Sequence, residues 1–402
     1  MQAYRFRLRP DRNQARKMRQ TAGSCRFVYN MGLEVQKSRF DKGLPKLGYA
    51  ALCKELTSWK ASEKTKFLSQ VPAQPLQQAL KDLERGYCNF FTKRAEFPKF
   101  KKRGRHDSFR YPDPKQVKVD QMNSKIFLPK IGWMRFRQSK EIQGTIKQVT
   151  VTCDHDHWYA SIQTEVDVEA PVHPSTSSIG IDMGVVHLAT LSDGTQYAGV
   201  LSFRKNQKRL AREQKKLSRK EKYSANWRKQ KKRVDRIHRV IRDTRRDYLH
   251  KTTTAISKNH ALVVVEDLRV RNMSKSAKGS VEKPGKNVRA KAGLNKAISD
   301  QSWYEFRRQL EYKQKWNGGE LIVVPALHTS QRCSKCGEIN AANRKNQSEF
   351  ECIACGHSEN ADLNAAKNIL AAGRAVKACG ERSIDGSKKQ EPESVTVATL
   401  CA

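Results

Sequence analysis

The chain has 402 residues, enough for two or three domains, and a hydrophobic share of 37%, low but sufficient for more than one core. Its formal net charge of +39 far exceeds what solubility needs. With Phe, Tyr and Trp interleaved among the cations, that charge points to a polyanionic partner, nucleic acid first, and away from a merely solvated basic surface.

The first strand is legible at once. In "MQAYRFRLRP", Tyr4, Phe6 and Leu8 alternate with Arg5, Arg7 and Arg9, the period of a half-buried strand and not of a transit peptide. Residues 11–96 read as helical, with "LQQALKDLERGYCNFF" (76–91) amphipathic and Pro72 and Pro75 marking its entry. From about 97 to 168 the pattern turns to strands: 125–137, 146–153 and 157–168. Residues 1–10 and 97–170 are therefore expected to form one β domain carrying the helical insertion. The two prolines of "EAPVHPSTSS" (169–178) mark a linker.

The second half opens with "IGIDMGVVHLATLSDGTQYA" (179–198), read as two strands joined through Asp193 and Gly194. Residues 201–250 contain 20 Lys/Arg against 5 Asp/Glu. There Trp227, Val234, Ile237, Ile241 and Tyr248 recur at helical spacing, predicting one long helix with a buried stripe. Its basic remainder includes Arg228, Lys229, Lys232 and Arg236, and too few acids are present to lace it. It reads as a helix that tracks a phosphate backbone. "ALVVVEDL" (261–268) has the continuous apolar run of a covered strand. Residues 273–293 read as a basic loop, 303–316 as a helix and 320–326 as a strand. The polar tail of 381–402 reads as disordered.

Ten cysteines without a signal peptide argue for reduced thiols plus a metal site and against a disulfide scaffold. No apolar run approaches the roughly 18 residues of a membrane helix, so a cytoplasmic protein with no membrane partner is expected. Cys333 and Cys336, then Cys352 and Cys355, form two CxxC pairs. Each pair is followed by glycine, and fifteen residues separate the two. Four thiolates in two tight knuckles suit structural zinc. His357 beside them reads as a surface residue, since four sulfurs suffice.

Acidic residues are scarce, so their positions carry information. Asp182 lies in the apolar strand "IGIDMGV", Glu266 ends "VVVED", and Asp362 opens the helix "ADLNAAKNIL". A carboxylate at such a position costs several kcal/mol unless paired or bound to a cation. Each alone has an ordinary reading as a turn former, an ion-pair partner or an N-cap. If the three converge, they could hold two divalent ions about 4 Å apart for attack on a phosphodiester.

"GIDMGVVHLATLSDG", "VVVEDL", "TSQRCSKCG" with "CIACG", and "NADLNAAKNIL" together resemble the signatures of the TnpB family. Its members are insertion-sequence proteins related to type V CRISPR effector nucleases. "YRFRLRPDRNQ", "CRFVYN" (25–30) and "FPKFKKRGRHDSFRY" (97–111) are similar to the same family, and the likeness covers most of residues 1–380.

The resemblance implies a multidomain α/β plus α+β protein. A wedge-type β-barrel (1–10 and 97–170) would carry a helical recognition insertion (11–96). An RNase H-like RuvC nuclease domain (176–330 and 358–380) would carry an inserted zinc ribbon (331–357). It further implies Asp182, Glu266 and Asp362 as a triad for magnesium or manganese, and RNA-guided cleavage of double-stranded DNA beside a short adjacent motif. The guide RNA would come from the element's own end, with base pairing supplying specificity. A bacterial cytoplasmic, nucleoid-associated location follows. Tyr49, Gln74 and Gln78 are candidates to read the adjacent motif, the two glutamines sharing a helix face at i and i+4. Two rivals remain: a transposase acting on element ends without RNA, and a non-cleaving regulator, against which the intact triad argues.

Overall fold

The structure is a computed structural model. It describes residues 1–382 except 105, 106, 156, 168 and 170, and only the backbone of 379–382. Most of the tail expected to be disordered lies outside the described residues. The remainder divides into two units, one up to residue 167 and one from residue 169 on.

The first unit begins with β1 (Gln2–Arg9), whose Tyr4, Phe6 and Leu8 are buried while the arginines between them are exposed. A capping box then opens α1 (Arg12–Asp41): Gln14 N–H donates to Asp11 Oδ1 at 2.7 Å, and Asp11 N–H donates to Gln14 Oε1 at 3.1 Å. Helices α2 (Tyr49–Ala61) and α3 (Ala73–Phe91) follow, Pro72 standing just ahead of α3. The strands are β2 (Ser108–Tyr111), β3 (Lys118–Asp120), β4 (Lys125–Leu128), β5 (Gly132–Arg137), β6 (Thr145–Asp154) and β7 (His157–Glu165).

They form a seven-stranded antiparallel sheet in the order β2-β6-β7-β1-β5-β4-β3. The N-terminal strand thus sits at its centre, between segments more than 120 residues away. Phe6, Leu8, Val149 and Ile162 of the sheet share a core with Met18 and Leu33 of α1 and Leu76, Leu80 and Leu83 of α3. The apolar stretch 125–137 is a hairpin, because Lys130 and Gly132 take positive φ (61° and 98°) and turn the chain. The last strand stops at Glu165, short of residue 168.

The second unit opens with the segment read as a linker, and that segment is docked. The His173 imidazole is bonded by Nε2 to the Ser257 carbonyl (2.9 Å), while its Nδ1 accepts from the Ser175 amide (3.0 Å). Its sheet contains β8 (Ser178–Asp182), β9 (His187–Leu191), β10 (Gln196–Ala198), β11 (Leu262–Glu266) and β12 (Glu320–Val324), in the order β10-β9-β8-β11-β12. Strands β8, β11 and β12 are parallel, and β9 and β10 antiparallel. Residues 179–198 therefore hold three strands, not two. Asp193–Gly194 turns β9 into β10, and a second turn at 183–186 lies hidden in apolar sequence.

The long basic segment also breaks into two, α4 (Ser202–Ser218) and α5 (Ala225–Asn259), where a single helix was expected. Ser224 caps α5 by accepting from the Trp227 amide at 3.1 Å. Leu210 of α4 packs against Val234, Ile237 and Ile241 of α5, so the predicted stripe is the seam of a helical hairpin. After β11 come α6 (Val270–Met273), α7 (Val288–Gln301) and α8 (Trp303–Asn317). Helix α7 replaces the end of the expected loop. It delivers Asp300, 4% exposed, to the start of α4: Oδ1 accepts from the Ser202 hydroxyl (3.1 Å), the Phe203 amide (3.0 Å) and Arg245 (2.7 Å). The carboxylate is thus a helix cap supplied from about a hundred residues away.

Beyond β12, the short hairpin β13 (Glu349–Glu351) and β14 (Ser358–Asn360) leads into α9 (Ala361–Arg382). Ile179, Ile181, Val263 and Val265 face Leu249 and Ile256 of α5 and Phe306 and Leu310 of α8. The alternate residues Leu262, Val264, Ile322 and Val324 pack with Ile369 and Leu370 of α9. Covered on both faces, β11 is buried along its whole length. Helix α9 lies so close on β8 that a Cβ at Gly180 would stand 2.2 Å from the Ala366 carbonyl oxygen.

Candidate active site

Strand alternation puts Asp182 and Glu266 on the same face as Gly180 and Val264, the face that α9 covers. They end adjacent parallel strands, one step beyond the Ile181–Val265 pair. Neighbouring strands run about 4.8 Å apart, so the two carboxylates stand side by side at the sheet's C-terminal edge. Asp362 lies in the first turn of α9 and does not cap it: the Asn360 side chain accepts from the Asp362 and Leu363 amides at 3.0 and 3.2 Å. That frees the Asp362 carboxylate to face other groups.

Asp182 senses the other two acids. Burial, and then the charges of Glu266 and Asp362, push the Asp182 carboxyl up to about 7, with Arg344 and the Met183 amide opposing. Burial raises Glu266 too, and the Thr329 hydroxyl, which donates to its Oε1, offsets part of the rise. Arg344 is the nearby cation, 3.9 Å from Asp362 and steadied by the carbonyls of Asn346 (3.3 Å) and Gln347 (3.1 Å). The carboxylate oxygens do not all lie within 4.8 Å of one another, the spacing that the four cysteines meet. The cluster is open, and it is short of positive charge.

All four cysteine sulfurs lie within 4.8 Å, and each knuckle repeats the same backbone. The Gly337 amide donates to the Cys333 carbonyl (3.0 Å), as Gly356 does to Cys352 (2.9 Å), with both glycines at positive φ. The Cys333 amide donates to the Glu338 carbonyl (2.8 Å), and that of Cys352 to the His357 carbonyl (2.9 Å). Burial would raise the Cys333 thiol, but the Cys336 and Lys335 amides, with the Cys336 and Cys355 thiols, bring it down to about 6. Against the Glu338 amide, burial and the neighbouring thiols push Cys336 up to about 12, so without a cation one thiolate forms at the expense of another. The donor set fits tetrahedral zinc. His357 is half-buried beside it and paired with Glu359 at 3.0 Å.

Sequence reasoning missed the groups that brace these sites. Asn343, wholly buried, donates to the Gln331 carbonyl and accepts from the Ile353 amide (both 3.0 Å), tying one knuckle to the other. On α9, Asn364 accepts from the Ser334 amide (2.8 Å) and donates to the Arg332 carbonyl (2.8 Å). Asn368 donates to the carbonyls of Thr329 (3.0 Å) and Arg332 (2.7 Å). The signal was present: two amides at i and i+4 on an otherwise apolar helix face. They fasten the cysteine knot to the helix that carries Asp362, and to Thr329, the partner of Glu266.

The nucleic-acid candidates fall in two classes. Arg228, Lys229, Lys232 and Arg236 are all exposed on α5. Tyr49 is half-buried against the first core, burial and Cys53 raising its hydroxyl to about 12. Gln74 and Gln78 do share a face of α3, but both are half-buried. Gln74 reaches Asp113 at 3.5 Å, and Gln78 lines a cavity of about 50 Å³ with Cys25, Arg26 and Lys101. That face packs toward β2, which i, i+4 spacing alone cannot reveal.

Residues 161–277 match the family described as "Probable transposase" (IS605 OrfB), residues 303–369 a "Cas12f1-like, TNB domain" and residues 1–44 a "Helix-turn-helix domain". The chain is 56% identical over 400 residues to InsQ of Escherichia coli (strain K12), named for RNA-guided DNA endonuclease activity; the match covers 99% of each chain. It is 35% identical to a protein of Streptomyces pristinaespiralis named for the same activity, over 98% of this chain and 97% of that one. Among solved structures, the protein of a Cas12f1–sgRNA–target DNA complex aligns with TM-score 0.51 at 16% identity, over 88% of this chain and 81% of that one. The mini-RNA-guided endonuclease CRISPR-Cas_phi3 aligns with TM-score 0.50 at 9% identity, over 97% and 94%.

Proposed function

The chain belongs to the TnpB family, the IS605 OrfB proteins, and on that premise we propose that it is an RNA-guided DNA endonuclease of a transposable element. It binds a guide RNA and a double-stranded DNA target, and Asp182, Glu266 and Asp362 cut the target. The observation that carries this reading is Asp182 and Glu266 at the ends of adjacent strands β8 and β11, with the charge of Asp362 on α9 near enough to help raise the Asp182 carboxyl. A strand order with β8 central and β11 and β12 parallel to it supports an RNase H-like RuvC domain, and the cysteine hairpin is its zinc ribbon. The first unit is read as the wedge-type domain with its helical recognition insertion, working in the bacterial cytoplasm at the nucleoid.

The residues fit divalent cations: a carboxyl raised to about 7 by burial and two like charges is a site that gains from added positive charge. Two magnesium or manganese ions, when bound, supply activation of the attacking water and stabilisation of the leaving oxygen. The chain's own groups do the rest. Asp182 and Glu266 offer oxygens from rigid strand ends. Thr329 orients Glu266, and Asn360 leaves Asp362 free to turn inward. Arg344 keeps a positive charge at the rim, able to pair with a phosphate oxygen. The cysteine knot, holding zinc, fixes α9 through Asn364 and Asn368 and so aims Asp362. On α5, Arg228, Lys229, Lys232 and Arg236 track a nucleic-acid backbone, a role that needs no base contact.

The family description "Probable transposase" names the alternative, cutting and joining of element ends without RNA. Expression of the gene with its flanking DNA, followed by sequencing of the RNA that purifies with the protein, separates the two. One discrete RNA running past the element boundary is expected. A heterogeneous mixture would favour the transposase.

A further inference from the structure

A cavity of about 390 Å³ reaches Glu266, and no role so far described uses it. Glu266 and Met183 form its inner end, and Leu268, Val270 and Trp303 give it apolar walls. Arg269 and Arg271 are exposed at its edge, and among the described residues neither is paired with a carboxylate. Arg307 stands there too, bonded to Asp267 at 2.7 Å. Tyr304 at its mouth is 74% exposed, although its apolar neighbours on the same helix, Trp303 and Phe306, are buried. Trp303 is 3% exposed, and its indole Nε1 is buried without an acceptor among the described residues.

We propose that this cavity is a subsite for one unpaired nucleotide of the strand being cut, its base stacked on Tyr304. The proposal rests on the endonuclease reading and adds to it a group that positions the scissile phosphate. Apolar walls suit the faces of a base, while Arg269 and Arg271 suit the flanking phosphates. Duplex DNA does not fit, because a base must leave its stack to enter. Stacking on an aromatic side chain is worth about tenfold in binding per base, independent of sequence. The subsite would therefore select for an unwound strand and not for a base.

The test uses guide-RNA-loaded protein and a single-stranded oligothymidylate carrying one 5-iododeoxyuridine. Irradiation is expected to crosslink it to the peptide holding Trp303 and Tyr304. Tyr304→Ala should lower that crosslink about tenfold, while Tyr304→Phe should retain it. In parallel, target strands with one abasic nucleotide are cleaved. At one position near the cut, the abasic site should slow wild-type cleavage about tenfold and leave Tyr304→Ala, already slowed, no slower. Crosslinks elsewhere, or abasic and Tyr304 effects that multiply at every position, overturn the subsite. If no guided cleavage occurs but the crosslink falls on Tyr304, the endonuclease reading fails and the nucleotide site stands.

Discussion

Replacing Asp182 with asparagine should stabilise the second unit while abolishing cleavage. Asp182 is held with its carboxyl at about 7, against an ordinary value of 3.8. The folded state thus binds the proton more tightly than the unfolded state does, and stability falls as pH rises through the interval between those values. Below about pH 4 both states are protonated and the ionisation costs nothing. Above about pH 7 the full cost is present, roughly 4 kcal/mol from three pKa units at about 1.4 kcal/mol each. The substituted amide keeps the shape and an acceptor for the Met183 amide without the charge. Without added divalent cations, Asp182→Asn should therefore melt roughly 10 °C above wild type at pH 8 and level with it at pH 4, for a unit of about 200 residues. Calorimetry with added magnesium should then raise wild type more than the variant. An Asp182→Asn protein less stable than wild type at pH 8, or a gain equal at pH 4 and pH 8, would refute the picture of crowded, cation-seeking carboxylates.

The same carboxyl should govern rate. Cleavage by wild-type protein at limiting magnesium should climb about tenfold per unit below pH 7 and level off above it, because the ionised acid holds the cation; single-turnover rates from about pH 5.5 to 8.5 would expose a flat profile. Cys352→Ser should lose zinc by elemental analysis and slow cleavage through a misplaced Asp362, without weakening binding of guide RNA. Asp300→Ala should destabilise the second unit by about 2–4 kcal/mol in urea, since it uncaps α4 and strands Arg245; a change under about 0.5 kcal/mol would contradict that.

What the sequence disclosed follows from physics that acts locally. Alternation exposed β1, repeated CxxCG exposed the cysteine knot, and carboxylates in apolar strands exposed the catalytic candidates, because each anomaly is visible within a short window. The break between α4 and α5 was hidden because basic composition runs through it unchanged; its one signal is Ser224, three residues before the amide it caps. Helix α7 was hidden because it buries Ile298, Asp300 and Gln301 and little else, leaving no apolar stripe to count. The turn at 183–186 escaped because Met183 and Val185 are as apolar as the strands they separate. Least legible was the bracing by Asn343, Asn364 and Asn368, whose partners are backbone carbonyls and amides and leave no mark on side-chain pattern. Their spacing could nominate them, but only the fold supplies their partners.

The central claim is that guide RNA chooses the site and the three carboxylates cut it. The most direct measurement loads the protein with its co-purified RNA scaffold carrying two different guide segments, and maps cuts on a plasmid holding both matching sites. The account predicts that each guide moves the cut to its own match and that Asp182→Ala binds the target without cutting. Cuts that stay at element ends whatever the guide, or that persist in Asp182→Ala, would contradict it.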